Sequence, residues 1–370
     1  MKHFSRAAKL AALALSFLAV FFFFQEFLFA YQDLNTHRLS SFYREEENSL
    51  DAVFIGASEV FTGFAPGYAY ERFGFTSYMV AMESNQGSLY KAQLKEILAH
   101  QNPQVIYVDV FGFLRSVETS LYEEARLRIF TESMPLSINK LETIFSHPYE
   151  DKLSCLFPIM KYHGDMTIAR SRIALTVKRL LSGGNAGELK GVSTLTAIYP
   201  GPGDPGSKEE SAFSIAPRCE ELLLDFLAYC QAHVSGQVVF VNFPRSLQNE
   251  ENHSLLSCVR MTESIIGEYG FPFIDLQSRM EEINLDVTRD FYNEHHVNVY
   301  GQRKITEFFG RLTTQTLGVV PMAQSENNAR RWQEAAENTQ QYFALAEQAI
   351  ADGNEIWLDE TLDDWLFRNM

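Results

Sequence analysis

Cysteine is scarce in this chain: four residues among 370 (Cys155, Cys219, Cys230 and Cys258), with no C-x-x-C spacing. That excludes a zinc ribbon or a thioredoxin-type redox site. Cys219 and Cys230 share one predicted helix about 16 Å apart, too far to bond each other, and buried free thiols are expected for at least two of the four. Positive charge is also short, with 31 Lys and Arg against 47 Asp and Glu and a formal net charge of −16. Phosphate backbones require the opposite sign, so nucleic acid is not an expected partner. A hydrophobic fraction of 46% supports a sizeable core and excludes a disordered chain. The length suits one large α/β domain with insertions, or two modest domains.

One long apolar run is present. Leu10 to Phe24 contains no charge, Ser16 is its only polar residue, and Phe27 to Tyr31 continue it after Gln25-Glu26. As a helix, Leu10 to Tyr31 would extend about 33 Å, enough to cross a bilayer core. Lys2, Arg6 and Lys9 precede it, so the positive-inside rule places the amino terminus in the cytoplasm and the remainder outside. The expectation is a single-pass anchor over residues 1–31 of a cell-membrane protein whose main domain is extracytoplasmic. A cleaved signal peptide is the alternative, but no small-x-small cleavage site follows the run cleanly.

Beyond a polar stalk at 32–50, apolar runs of strand length alternate with helical ones. The predicted strands are Ala52–Gly56, Thr76–Ala81, Gln104–Val110, Gln237–Phe243 and Phe271–Leu276; the predicted helices are Ser88–His100, Pro217–His233, Glu250–Tyr269 and Tyr300–Leu317. This alternation specifies an α/β fold with a doubly wound, mostly parallel five-stranded sheet over 51–320. Residues 115–205 interrupt it with helical, strand-poor sequence ending in a Pro/Gly-rich turn from Tyr199 to Gly206. An insertion above the carboxyl edge of the sheet would either shape a substrate groove or serve as a structural cap. Residues 321–370 add a helix over Ser325–Ile350, with a stripe of Trp332, Ala336, Phe343, Ala346 and Ile350, and an acidic tail.

Two segments carry candidate chemistry. Asp51-Ala-Val-Phe-Ile-Gly-Ala-Ser58-Glu59 is a short strand ending in a small-residue turn that holds a serine; Asp290-Phe-Tyr-Asn-Glu-His-His296 lies ahead of a late helix. A serine hydroxyl becomes a nucleophile when a positioned histidine takes its proton. The plainer reading of Ser58 is a helix cap, and that of His295 is polar filler at a helix start. A metal site from Asp290, Glu294, His295 and His296 is disfavoured, because ligands from one short loop rarely close a coordination shell. No metal or cofactor is expected.

Phe54-Ile-Gly-Ala-Ser58-Glu-Val-Phe-Thr-Gly-Phe-Ala-Pro66, Pro103-Gln-Val-Ile-Tyr-Val-Asp109, Met134-Pro-Leu-Ser-Ile-Asn-Lys140 and Asp290-Phe-Tyr-Asn293-Glu-His-His296-Val-Asn298-Val-Tyr-Gly301 resemble the SGNH/GDSL hydrolase superfamily. The closest likeness is to its bacterial membrane-anchored branch, related to proteins that modify teichoic acids and exopolysaccharides. The resemblance covers roughly Asp51 to Leu317 and implies a flavodoxin-like three-layer fold, with Ser58 as nucleophile and His296 as base. The family carries an aspartate three positions before the histidine, where this chain has Asn293. A comparable Asp-to-Asn change in a serine protease lowers turnover by about 10⁴. Either His296 works in a dyad, or Asp290 or Glu294 substitutes, or hydrolytic activity has been lost. For the oxyanion hole the resemblance implies the Ser58 N–H and Gly87, with Asn85 and Gln86 beside it. No Gly-x-Asn follows the third strand, and Asn242 is an off-pattern donor.

The resemblance implies an esterase or O-acyltransferase, acetyl being the favoured acyl group, acting on a surface polysaccharide or teichoic-acid-type polymer beside a multi-pass membrane acyltransferase. A catalytically inactive scaffold that binds cell-envelope polymer is the alternative, and Asn293 is the residue that favours it.

Overall fold

A computed structural model of the chain describes residues 6–25, 34–114, 121–164, 189–199, 214–246, 250–353 and 357–358. Its strands are β1 (Ala52–Gly56), β2 (Ser77–Ala81), β3 (Val105–Asp109), β4 (Thr194–Leu195), β5 (Gln237–Asn242), β6 (Phe273–Asp275) and β7 (Trp357–Leu358). The first helices are α1 (Arg6–Phe24), α2 (Leu34–Phe42), α3 (Ser58–Gly63), α4 (Pro66–Phe73) and α5 (Gly87–His100).

Five strands form one sheet in the order β2-β1-β3-β5-β6, every neighbouring pair parallel. β1, β2 and β3 are apolar but for Ser77 at the start of β2 and Asp109 at the end of β3, and they are buried from end to end, as strands covered on both faces must be. Successive side chains point to opposite faces, and the core divides accordingly. Val53, Ile55, Tyr78, Val80, Ile106, Val108, Val238 and Phe240 pack on one side with α5 and the helix Pro217–His233. Ala52, Phe54, Met79, Ala81, Val105, Tyr107, Val239 and Val241 pack on the other with α3, α4 and the helix Val299–Arg311. On that second face Phe54 stacks between Phe64 (4.3 Å) and Tyr107 (4.6 Å), while Phe309 meets it edge-on at 5.3 Å. The strand order, which runs outward from β1 to β2 on one side and from β3 to β6 on the other, reverses between β1 and β3, so the carboxyl end of β1 opens at the switch point where such sheets hold ligands.

Asp51 fastens the opposite edge. Its carboxylate accepts from Thr76 N (2.9 Å), Thr76 Oγ1 (3.0 Å), Gln104 Nε2 (2.9 Å) and Met322 N (2.9 Å), joining the starts of three strands to the segment after the last sheet-covering helix.

Several expectations are corrected. Residues 34–50 are no free stalk: α2 packs along the β2 edge with Arg38 buried, its guanidinium bonded to Gly191 O (2.7 Å), Asn35 Oδ1 (3.1 Å) and Ser193 Oγ (2.9 Å). The predicted membrane span is not found, since among the described residues no helix is long and apolar enough to cross a bilayer. Arg6 and Lys9 occupy the start of α1, which leaves Leu10–Phe24 uncharged. Fifteen such residues reach only about 22 Å, short of the roughly 30 Å core. Phe27 to Tyr31 lie outside the described residues.

Two of the described helices of the insertion, Glu124–Ser133 and Ile138–Ser146, flank α2 and α5. Asn139 Nδ2 donates to Ala92 O (2.9 Å) and Glu96 Oε1 (2.7 Å) on α5. Residues 189–199 instead run back toward the His296 loop, with Tyr199 N donating to Phe291 O (2.8 Å). The turn after Tyr199 lies outside the described residues.

The C-terminal helix Glu326–Ala351 buries Trp332, Ala336, Phe343 and Ala346 against α4, as its stripe predicts, with Ser325 capping it through Asn328 N. In the tail, β7 pairs antiparallel with β4. Cys155, Cys230 and Cys258 are buried free thiols, and Cys219 is buried on the same helix as Cys230.

Replacing Asp51 with alanine removes the acceptor from four donors and is expected to cost about 2–4 kcal/mol. Chemical denaturation of Asp51→Ala against wild type checks this, and a difference within experimental error would contradict it.

Candidate active site

Ser58 is the first residue of α3, directly beyond β1. It is not the helix cap; Ala57 occupies that position in extended conformation and makes no side-chain cap bond. The turn before it is tight. A Cβ on Gly56 would stand 2.3 Å from Val60 Cγ2 and 2.6 Å from Asp109 Cβ, so only glycine lets α3 fold back over the end of β3.

The histidine loop is built as firmly. Phe291 and Val297 pair across it, Tyr292 N donates to His296 O (2.9 Å), and Asn298 N donates to Asp290 O (2.9 Å). The Asn298 side chain caps the helix Val299–Arg311 through Tyr300 N (3.0 Å) while its amide donates to Arg289 O (2.7 Å) and Ala197 O (3.0 Å). A Cβ on Gly301 would meet Asp290 O at 2.4 Å, so glycine is again what permits the approach.

Held this way, His296 reaches across 238 positions of sequence, and its Nε2 lies 2.8 Å from Ser58 Oγ. The other ring nitrogen, Nδ1, lies 3.0 Å from Asn293 Oδ1. That oxygen also accepts the backbone N–H groups of His295 (2.9 Å) and His296 (2.9 Å), which fixes it as the oxygen and not the amide nitrogen. An acceptor facing Nδ1 places the ring proton there and leaves the Nε2 lone pair for the Ser58 hydroxyl. Asn293 thus occupies the acid position and orients the imidazole without charge.

The remaining expected residues have other duties. Asp290 is fully buried, but its Oδ2 accepts from Asp286 N (2.7 Å) and pairs with Lys304. Glu294 accepts from Tyr199 OH at 3.0 Å. The contacts of Asp290 and Glu294 bind the loop to its neighbours and give neither carboxylate to the imidazole. Asn85 is buried, its amide donating to Gly56 O (2.8 Å) and Gln93 Oε1 (3.0 Å) while its oxygen accepts from Gln86 N (2.9 Å). Gln86 is buried as well, its Oε1 accepting from Glu123 N (3.3 Å). Asn242 donates to Asp275 Oδ1 (2.8 Å) across the β5–β6 pair. These three amides are ties within the scaffold. Gly87 begins α5 at the carboxyl edge, pressed so close to Phe113 and Gly112 that a Cβ would stand 2.6 Å from the Phe113 ring. As first residues of their helices, Ser58 and Gly87 keep their N–H groups outside intrahelical bonding. His163 is exposed at the end of the helix Ile159–Tyr162, with Nδ1 3.1 Å from Ile159 O. Among the described residues no group of three or more His, Cys, Asp or Glu side chains is placed to hold a metal ion.

Sequence reasoning missed a buried charge cluster beneath the pair. Glu59 Oε1 binds Arg245 at 2.6 Å, Glu59 Oε2 is 3.4 Å from Ser58 Oγ, and the Arg245 guanidinium lies 4.1 Å over the Phe111 ring. Asp109 sits alongside, its Oδ2 accepting from Ala57 N at 3.4 Å. Burial pushes the Asp109 carboxyl up to about 7, with Glu59 adding to the rise. Burial also pushes Glu59 up, but Arg245, His296 and His295 together hold it below its ordinary range. The available signal was charged residues at the carboxyl ends of β1, β3 and β5, where a parallel sheet binds its ligands.

The site thus joins a serine and a histidine from the first and last loops of a parallel sheet ordered 2-1-3-5-6. Among solved structures, this chain is similar to a putative GDSL-like lipase from Parabacteroides merdae (11% identity, 80% of this chain and 98% of that one, TM-score 0.34). It is also similar to an acetyl xylan esterase from Geobacillus stearothermophilus (12% identity, 76% and 99% covered, TM-score 0.34). A gut microbial diltiazem-metabolizing enzyme aligns at 11% identity over 73% of this chain and 48% of that one, with a TM-score of 0.33. No family model and no curated protein matches the sequence.

Burial lowers the His296 pKa below its ordinary 6.5, and the charges of His295 and Arg245 lower it further against an upward pull from Glu59. The imidazole is therefore neutral and able to accept a proton at pH 7, and an NMR titration is expected to show His296 protonating below pH 6.5. Asp290→Asn, whose partner is Lys304, is expected to reduce stability while leaving that titration in place; a titration displaced by this substitution would return Asp290 to a role behind the imidazole.

Proposed function

We propose that the chain is an extracytoplasmic serine esterase or O-acyltransferase of SGNH type, acting on acyl esters, acetyl above all, of a cell-surface polysaccharide or teichoic-acid-type polymer. The observation that carries this reading is the 2.8 Å contact between Ser58 Oγ and His296 Nε2 at the carboxyl end of β1. Ser58 Oγ attacks the acyl carbonyl while its proton passes to Nε2, and the N–H groups of Ser58 and Gly87 receive the oxyanion. The imidazolium then returns the proton to the departing alkoxide, leaving Ser58 acylated. Water completes an esterase cycle and a polymer hydroxyl completes a transferase cycle.

Attachment to a lipid surface accords with α1, whose Leu10, Leu13, Leu15 and Phe17 are each about two-thirds exposed while its far end rests on Phe157. An acyl donor supplied by a multi-pass membrane acyltransferase suits a site held at that surface. Full-length protein is expected to float with liposomes and a chain lacking residues 1–25 to remain in solution; equal flotation of both would remove α1 from this role.

The neutral amide of Asn293 favours a second reading, an inactive SGNH scaffold that binds envelope polymer, since an amide stabilises imidazolium less than a carboxylate does. A fluorophosphonate probe separates the two. Under the enzyme reading wild type is labelled at Ser58 and Ser58→Ala is not, while wild type that stays unlabelled is a scaffold.

A further inference from the structure

We propose that Glu59 supplies the negative charge that Asn293 lacks, acting as a positioning residue that stabilises the His296 imidazolium as Ser58 gives up its proton. This rests on the Ser58–His296 reading above and names the group that completes it.

The geometry is specific. Glu59 follows the nucleophile in sequence, and α3 turns its carboxylate beneath the pair, with Oε2 3.4 Å from Ser58 Oγ. Oε1 is pinned by Arg245 at 2.6 Å, and Arg245 is pinned in turn against Phe111 at 4.1 Å, with both charged side chains about 95% buried. A carboxylate so fixed does not reorganise when charge appears on the ring, which is the condition for efficient electrostatic stabilisation. The other acids near the loop are committed, Asp290 to Lys304 and Glu294 to Tyr199. Asn293 already receives three N–H donors and carries no charge.

The charged and titratable groups around the site are Glu59, Asp109, Arg245, His295 and His296. Asp109 is the member of the acid pair that burial drives toward the neutral form, and Glu59 is the member kept ionised by Arg245. During attack the Ser58 O–H bond breaks, its oxygen bonds to the acyl carbon, and the proton moves to Nε2. One positive charge appears on the ring, and Glu59 meets it in a site of low effective dielectric. Glu59 takes no proton. When the ester C–O bond breaks, the proton leaves Nε2 for the alkoxide oxygen.

The test is the pH dependence of kcat/KM for an aryl acetate in wild type, Glu59→Gln, Glu59→Asp and Glu59→Gln/Asn293→Asp. Glu59→Gln is expected to lower the plateau roughly 10- to 100-fold and to move the acid limb to lower pH, because the ring loses the charge that raises its basicity. Glu59→Asp should retain part of the rate, and adding Asn293→Asp to Glu59→Gln should recover both plateau and limb. An unchanged plateau overturns the proposal, as does a fall with an unmoved limb and no recovery, the signature of a structural ion pair. If Glu59→Gln does not fold because Arg245 is left unmatched, Glu59→Gln/Arg245→Met leaves no unpaired buried charge and is expected to show the same fall in plateau, with a smaller shift of the limb because the Arg245 charge that lowers the ring's basicity is also gone; an unchanged plateau in this variant overturns the proposal. Wild type that is unlabelled by fluorophosphonate and inactive overturns the Ser58–His296 reading and this proposal together, whereas labelled, active wild type with an unmoved limb in Glu59→Gln overturns this proposal alone.

Discussion

The loop from Asp290 to Asn298 is the constraint on which the candidate site depends. His296 meets Ser58 only because this loop is closed on itself by backbone bonds, anchored below by Asn298 and Lys304, and allowed to sit against the following helix by Gly301. Hydrogen bonds of this kind contribute about 1 kcal/mol each in net terms, but leaving a buried partner unmet costs more. The loop is therefore fastened at several points, and the imidazole arrives with its tautomer fixed. Opposite it, the Gly56 turn sets Ser58 at the centre of the sheet with equal rigidity.

Electrostatics distinguish this site from the triad the resemblance implies. A buried carboxylate normally sits behind the histidine, whereas here an amide occupies that place and a buried Glu59–Arg245 pair lies beneath the serine. Buried ion pairs seldom add net stability, because desolvating two charges offsets their attraction. A second carboxyl at Asp109, pushed toward neutrality, adds to the burden. Under the proposed reading, a cluster that stands beneath Ser58 serves the reaction rather than the fold.

Much of the sheet was legible because each strand is an apolar run bounded by turn residues, and burial on both faces demands that pattern. The stripe on Glu326–Ala351 was legible for the analogous reason at helical period. The stalk was misread because Arg38 looks solvated in its local sequence, while its partners Gly191 and Ser193 lie more than 150 residues away. Ser58 and His296 could be read from position, at the first and last loops of the sheet. Asn85 and Asn242 are polar residues at strand ends that tie strands to neighbours, which sequence cannot distinguish from donors facing a ligand. Glu59 and Arg245, 186 positions apart, were invisible as a pair until the fold joined them.

The central claim is that His296 presents an unprotonated Nε2 to the Ser58 hydroxyl while its Nδ1 proton is held by Asn293. Nitrogen-15 NMR of the histidine ring at pH 7 tests this most directly. The account predicts a neutral His296 protonated at Nδ1, with the Nε2 resonance shifted by Ser58→Ala; an Nε2-protonated tautomer, or a ring indifferent to that substitution, would contradict it.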